Sequence, residues 1–130
     1  MSDVAAWMTV LLIACAAIAG FILRRFVRGP FVRRLRPHFM LGYAALIFGL
    51  IHVTLSMNDT RGTNGLGILF AGIATAGLTL QTLVGSNLQS PGAYRLTLRR
   101  WHLALLFAVI AFVVGHILFN APFVPMPTID

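Results

Sequence analysis

Four histidines, His38, His52, His102 and His116, are the side chains in this sequence best suited to chemistry, and they form two pairs with partners fourteen residues apart. A helix turns about 100° per residue, so fourteen residues amount to about 1,400°, about 40° short of four full turns, with a rise of about 21 Å. Each pair therefore shares one helix face at two depths. Imidazole binds several transition metals, and geometry has to choose among them. Carboxylate-pair catalysis has little to work with, because Glu is absent and Asp3, Asp59 and Asp130 are the only acids. The single Cys15 lies within an apolar run, so neither a disulfide framework nor a cysteine-based metal site can be built from this chain alone.

The elements that carry these histidines are apolar. The chain is 58% hydrophobic and only 10% charged, where soluble domains approach about a quarter charged, so the solvent it expects is lipid. Four stretches, 5–23, 38–57, 65–85 and 101–119, reach the about 20 residues needed to cross a bilayer. Gly29 and Pro30 break the first connection, Asn58, Asp59, Gly62 and Asn64 the second, and Asn87, Ser90, Pro91 and Gly92 the third. The expected fold is all-α: an integral membrane four-helix bundle, up-down, over residues 1–120. An extended tail, 121–130, follows, with Pro122, Pro125 and Pro127 unsuited to a helix.

Charge orients the spans. The net charge of +7 comes from ten arginines and no lysine. Arg24, Arg25, Arg28, Arg33, Arg34 and Arg36 follow the first span, and Arg95, Arg99 and Arg100 precede the fourth, with only Arg61 between the second and third. The positive-inside rule puts both arginine-rich loops in the cytoplasm and both termini outside, as in a bacterial inner membrane. The first span carries Asp3 before it and arginines after it, the reverse of a cleavable leader. Arginines in two short blocks beside apolar runs do not make the soluble basic face that nucleic acid requires.

Spans two and four run in the same direction because span three returns between them. His38 then meets His102 at the inner level, and His52 meets His116 at the outer level. A lone intramembrane histidine most simply makes an interhelical hydrogen bond, but ionisable groups in a span point to function, and here spacing, direction and depth all match. Zinc or copper would usually want more ligands at each level. Haem brings four equatorial nitrogens of its own, so two histidines complete it, and two levels give two haem b groups.

On His38 and His52 in RPHFMLGYAALIFGLIH, and His102 and His116 in RRWHLALLFAVIAFVVGH, the chain resembles the diheme cytochrome b superfamily. The likeness is to the amino-terminal four-helix bundle of quinol-oxidising cytochrome b and to ferric-reductase-like transmembrane domains, and it covers the four spans. It implies that these four histidines are haem iron axial ligands. The chain departs from both branches: it lacks the further helices of each and the flavin and nicotinamide domain of ferric reductases.

Around the histidines, Gly42, Gly49 and Gly115 are candidates for haem clearance, with ordinary small-residue packing the alternative. Arg36, Arg99 and Arg100 flank the inner pair and are candidates to pair with haem propionates, with Arg61 a weaker one outside; topology control is their plainer role. Trp101 and Tyr94 suit an interfacial anchor. Six-coordinate irons suit outer-sphere electron transfer, so the expectation is an electron-transfer subunit within a larger quinone-linked or dehydrogenase-linked oxidoreductase complex. Redox subunits and a quinone are the expected partners besides lipid. The stretch Ser86–Gly92 could edge a quinone pocket or be a plain turn. The alternatives are a stand-alone ferric-reductase-like reductase, and a haem-free transporter or structural anchor. A reporter fused after Asp130 is expected to read as external, and one inserted at Gly29 as internal; the opposite pattern would invert both haem levels.

Overall fold

The computed structural model describes residues 2–57, 64–90 and 92–120. Among these are four helices, α1 (Ser2–Phe26), α2 (Phe31–Ser56), α3 (Gly65–Asn87) and α4 (Arg95–Asn120). All four are long and apolar enough to cross a membrane. The proline-rich tail 121–130, and Arg61 with most of the second connection, lie outside the described residues.

The helices run past the apolar stretches. α2 starts at Phe31 rather than 38, and α4 at Arg95 rather than 101, because arginine is a good helix former and its long stem lets the charge reach the interface from inside the first turns. Pro37 sits in the second turn of α2, where it leaves the Arg33 carbonyl without its helical donor. The α1–α2 connection is short enough to need a left-handed residue, supplied by Gly29 at φ 132°. Pro30 then opens α2 at φ −57°. Asn64 caps α3, its side chain accepting from the Leu66 N–H at 2.9 Å.

Contacts fix the directions. Gly49 lies against Thr9 and Gly20 against His38, so α1 and α2 are antiparallel. Tyr43 meets Ser86, Gly49 meets Leu78, and Gly67 meets Asn120, so α3 runs against both α2 and α4. α2 and α4 are therefore parallel, as their histidine pairs require. The α1–α2 and α3–α4 hairpins are each closely packed, and they join through the lighter α2–α3 contact.

The interior is small and dry. Ala5, Ala16, Ala45 and Ala74 are buried beside Leu35, Leu78, Leu88 and Val109, and no polar or charged residue is buried as a whole among the described residues. Large apolar side chains such as Trp7, Leu11, Phe21, Leu83, Phe107 and Leu118 face outward. An apolar exterior this continuous fits lipid, not water. The hydroxyls of Thr9, Thr54, Thr75, Thr79, Thr82 and Ser86 each donate to the carbonyl four residues back at 2.8–3.0 Å. They satisfy themselves within their own helices, as hydrocarbon surroundings demand.

Midway along the α3–α4 contact the packing is tight at Gly77, where an added Cβ would stand 3.0 Å from Val109 Cγ2, and Val109 is only 2% exposed. Gly72 on the same helix has nothing within 4 Å. Gly77→Leu is expected to destabilise the bundle by about 1–3 kcal/mol through overpacking, while Gly72→Leu leaves stability nearly unchanged. Loss of helicity on titration with a denaturing detergent measures both.

Candidate functional site

Each histidine on α2 and α4 leans on a neighbour, and His38, His102 and His116 reach a main-chain carbonyl of the preceding helix. His38 Nδ1 lies 2.8 Å from the Ala16 carbonyl on α1, His102 Nδ1 3.2 Å from that of Gln81 on α3, and His116 Nδ1 2.9 Å from that of Gly67. A carbonyl can only accept, so these contacts favour the tautomer with the ring proton on Nδ1 and the lone pair on Nε2, although at His116 the Asn120 amide nitrogen, 3.0 Å from the same Nδ1, favours the opposite one. His52 Nδ1 lies 3.4 Å from Ser56 Oγ. Ligand imidazoles are commonly fixed in this way, one nitrogen tied to a carbonyl and the other presented to the metal.

Glycines make the two inner-level contacts reachable. A helix carbonyl at position i is overhung by the side chain at i+4, because Cβ atoms tilt toward the helix start. Four residues after Ala16 stands Gly20, and four after Gln81 stands Gly85. A Cβ at Gly20 would come within 3.0 Å of His38 Nδ1, and one at Gly85 within 3.1 Å of His102 Cε1. The absent side chains are the seats of the rings.

The rings pair across the hairpins as their depths predict. His38 and His102 have ring centres 6.0 Å apart, and His52 and His116 6.2 Å. An ion held by two opposed imidazole nitrogens at about 2.0 Å from each, with about 1.15 Å from nitrogen to ring centre, sets the centres about 6.3 Å apart. Both pairs stand at that separation. No group of three or more His, Cys, Asp or Glu is gathered among the described residues, so each level offers two protein ligands, the number that haem leaves open.

The pair at the arginine-rich end opens on a cavity of about 770 Å³ between the hairpins, reaching from Val109 and Leu78 to the guanidinium groups of Arg24, Arg25, Arg34, Arg95 and Arg99. Its size is that of a small-molecule or cofactor site. Two buried polar atoms on its wall have no hydrogen-bond partner, Arg34 Nε and Gln81 Oε1. An unsatisfied buried polar group costs about 1–3 kcal/mol, so both mark where a polar ligand would be welcome. The Gln81 amide nitrogen stands 3.5 Å from His102 Nε2. Arg24 feels the charges of Arg99 and Arg34, and Arg95 lies 4.0 Å over the Phe31 ring. The nearest described acid, Asp3, is at the opposite end of α1.

Of the arginines singled out by sequence, Arg99 lines this cavity, whereas Arg36 faces a separate groove with Arg33, Met40 and Gln89, and Arg100 lines neither. The helix period explains the split. Arg36 and Arg100 each precede a histidine by two residues, about 200° around the helix, while Arg34, Arg95 and Arg99 precede one by four, seven and three and share its face. Among the glycines, Gly42 lines the cavity with nothing within 4 Å of its missing Cβ. Gly49 packs on Leu78 and Thr9, and Gly115 on the Phe70 ring, so both serve helix packing. Tyr94 and Trp101 are exposed at the arginine-rich end, as anchors should be. Phe112 and Phe119 pack on Phe70, and Phe107 faces outward.

Arg24, Arg34, Arg95, Gln81, Ser56 and Asn120 were not picked out by sequence, although the three arginines carried a signal in their spacing to Gly20, His38 and His102. The stretch Ser86–Gly92 contributes more than a turn: Ser86 Oγ lies 2.8 Å from the Tyr43 hydroxyl, which also accepts from Gln89 Nε2 at 3.4 Å.

No protein-family model, no curated protein and no solved structure matches the chain. The likeness to diheme cytochromes thus stands on the histidine pattern alone. Gly20→Val is expected to push His38 off the Ala16 carbonyl and shift the nitrogen resonances of that imidazole, whereas Gly42→Ala, into open space, leaves them in place; histidine-labelled protein in detergent reads both.

Proposed function

We propose that the chain is a membrane cytochrome b subunit that carries electrons across the bilayer through two bis-histidine b haems. The observation that carries this reading is the pair of ring separations, 6.0 and 6.2 Å, each between parallel helices and each with rings fixed from behind by hydrogen bonds at Nδ1. When bound, haem held by two imidazoles supplies a one-electron couple with no open coordination position. His38 and His102 would hold the inner group, and His52 and His116 the outer one.

The other residues of the chain orient and insulate. Arg24, Arg34 and Arg99 converge from three helices on the mouth of the inner cavity, where guanidinium forks suit the two carboxylates of a b haem. Leu78, Leu106 and Val109 close the cavity floor with apolar surface, which keeps water from the coupling path. The Gln81 amide, now beside His102 Nε2, would turn aside to admit the macrocycle.

Exchange with a partner fits the arginine-rich end. The groove lined by Arg33, Arg36, Met40 and Gln89 shares Phe39 and Tyr43 with the inner cavity. A quinone head group or a redox subunit seated there would be one side chain from the inner haem. The arginines at this end support a cytoplasmic setting for it by the positive-inside rule, with both termini outside, as they would be in a bacterial inner membrane.

A pyridine haemochrome assay on the purified chain is expected to give about two haems b per polypeptide, as two bis-imidazole levels require. His38→Ala and His102→Ala should each remove the same low-spin centre, and His52→Ala and His116→Ala the other. A colourless, folded protein would overturn the reading in favour of a haem-free bundle.

A further inference from the structure

The two histidine levels are not chemically alike. Four residues after His52 stands Ser56, and four after His116 stands Asn120, whereas the corresponding residues after His38 and His102 are Gly42 and Leu106. Four residues on is the next turn of the same face, and both polar side chains contact their histidine. Ser56 Oγ lies 3.4 Å from His52 Nδ1 and Asn120 Nδ2 3.0 Å from His116 Nδ1.

Asn120 is held in one orientation. Its Nδ2 donates to the His116 carbonyl at 3.2 Å, and its Oδ1 accepts from the Asn64 N–H at 3.3 Å. Flipping the amide would set its NH2 group against the Asn64 N–H, donor against donor. Space is as tight as the bonding, because a Cβ at Gly67 would overlap the amide. The side chain thus ties the end of α4 to the start of α3 at the turn where His116 meets the Gly67 carbonyl.

His116 Nδ1 is therefore addressed by two groups with opposite requirements. The Gly67 carbonyl, at 2.9 Å, needs a proton on Nδ1, and leaves Nε2 bare for ligation. The Asn120 amide is a donor, and needs a lone pair on Nδ1, which puts the ring proton on Nε2. A neutral imidazole has one nitrogen of each kind, so it cannot meet both demands at Nδ1. The Ser56 hydroxyl imposes no such conflict on His52, since it can donate or accept.

We propose that Asn120 is a positioning residue that fixes the His116 ring and weakens it as an axial ligand, holding the outer haem at a higher potential than the Gly67 contact alone would give. The inference rests on the haem reading. Its cause is local: an amide hydrogen turned toward Nδ1 opposes the build-up of electron density that a carbonyl acceptor promotes, so Nε2 becomes a poorer donor to ferric iron. The inner histidines have no equivalent group four residues on.

The test is a potentiometric titration of wild type, Asn120→Ala and Asn120→Asp, following the two centres separately by their optical bands. The midpoint of the outer centre is expected to fall in Asn120→Ala, and further in Asn120→Asp, whose carboxylate accepts from Nδ1, while the inner centre stays where it was. A shift shared equally by both centres, or none, overturns the proposal. Asp matches Asn in shape and keeps an acceptor for the Asn64 N–H, so it carries the test should Ala disturb the α3–α4 end. Nitrogen spectra of histidine-labelled, haem-free protein supply a second readout: Asn120→Ala should shift the His116 tautomer balance toward Nδ1–H. An unchanged balance overturns the Asn120 role. Absence of haem from the wild type overturns the functional reading instead, and the tautomer measurement then decides the role of Asn120 by itself.

Discussion

A carbonyl inside an α-helix already accepts one hydrogen bond, and its second lone pair is usable only where the next turn leaves it uncovered. In lipid that second lone pair matters, because an imidazole N–H has no water to bond with. Ala16 and Gln81 offer such carbonyls, and Gly20 and Gly85 uncover them. Once the rings of His38 and His102 are fixed from behind, their free edges can only project into the space between the hairpins. With α2 and α4 parallel because α3 runs against both, that anchoring sets the rings facing each other across the cavity.

The arrangement repeats. The donor histidine lies 22 residues after its acceptor in the first hairpin and 21 in the second, with a glycine four residues after the acceptor in both. Each hairpin is thus a unit bearing one ligand per level, and neither level is complete until the two units face each other. The main chains are accordingly close within the hairpins, and between them only α2 and α3 come near, while α2 and α4 meet through side chains, the histidine pairs and Arg95 over Phe31. At the other end Gly67 is the acceptor for His116 although Ala71, not glycine, stands four residues on, so the uncovering glycine belongs to the inner level.

Period and hydropathy made the histidine pairs, the four helices and the matched depths legible in the sequence, because fourteen residues and an apolar run are properties of the letters themselves. The anchoring carbonyls were not legible, since every residue carries the same main-chain oxygen and only the structure shows which one a ring meets. Gly20 and Gly85 did carry that information, hidden among other small residues such as Gly49 and Gly115 that serve packing. The arginines were chosen by closeness in sequence to His38 and His102, which favoured Arg36 and Arg100. Helix phase keeps Arg99, which the sequence had also singled out, and adds Arg34 and Arg95. Asn120 lay just past the apolar run 101–119 and was not singled out, although its spacing from His116 places it on the same helix face.

Charge at the cavity mouth adds a last constraint. Arg24, Arg34 and Arg99 approach one another with no described acid at that end, and guanidinium groups repel more strongly beside a low-dielectric interior than in water. Topology alone would be served by arginines pointing outward, as Arg100 does, and it does not require convergence from three helices. The convergence makes sense where an anion completes the cluster, and the same wall holds the unpartnered Arg34 Nε and Gln81 Oε1. On the haem reading proposed above, ring edges on one side and guanidinium groups on the other would face a ligand that is metal at its centre and anionic at its rim, with an apolar body against Leu78, Leu106 and Val109. A b haem has that distribution of charge, whereas a bare metal ion would leave the arginines unanswered and a lipid phosphate would leave the histidines so.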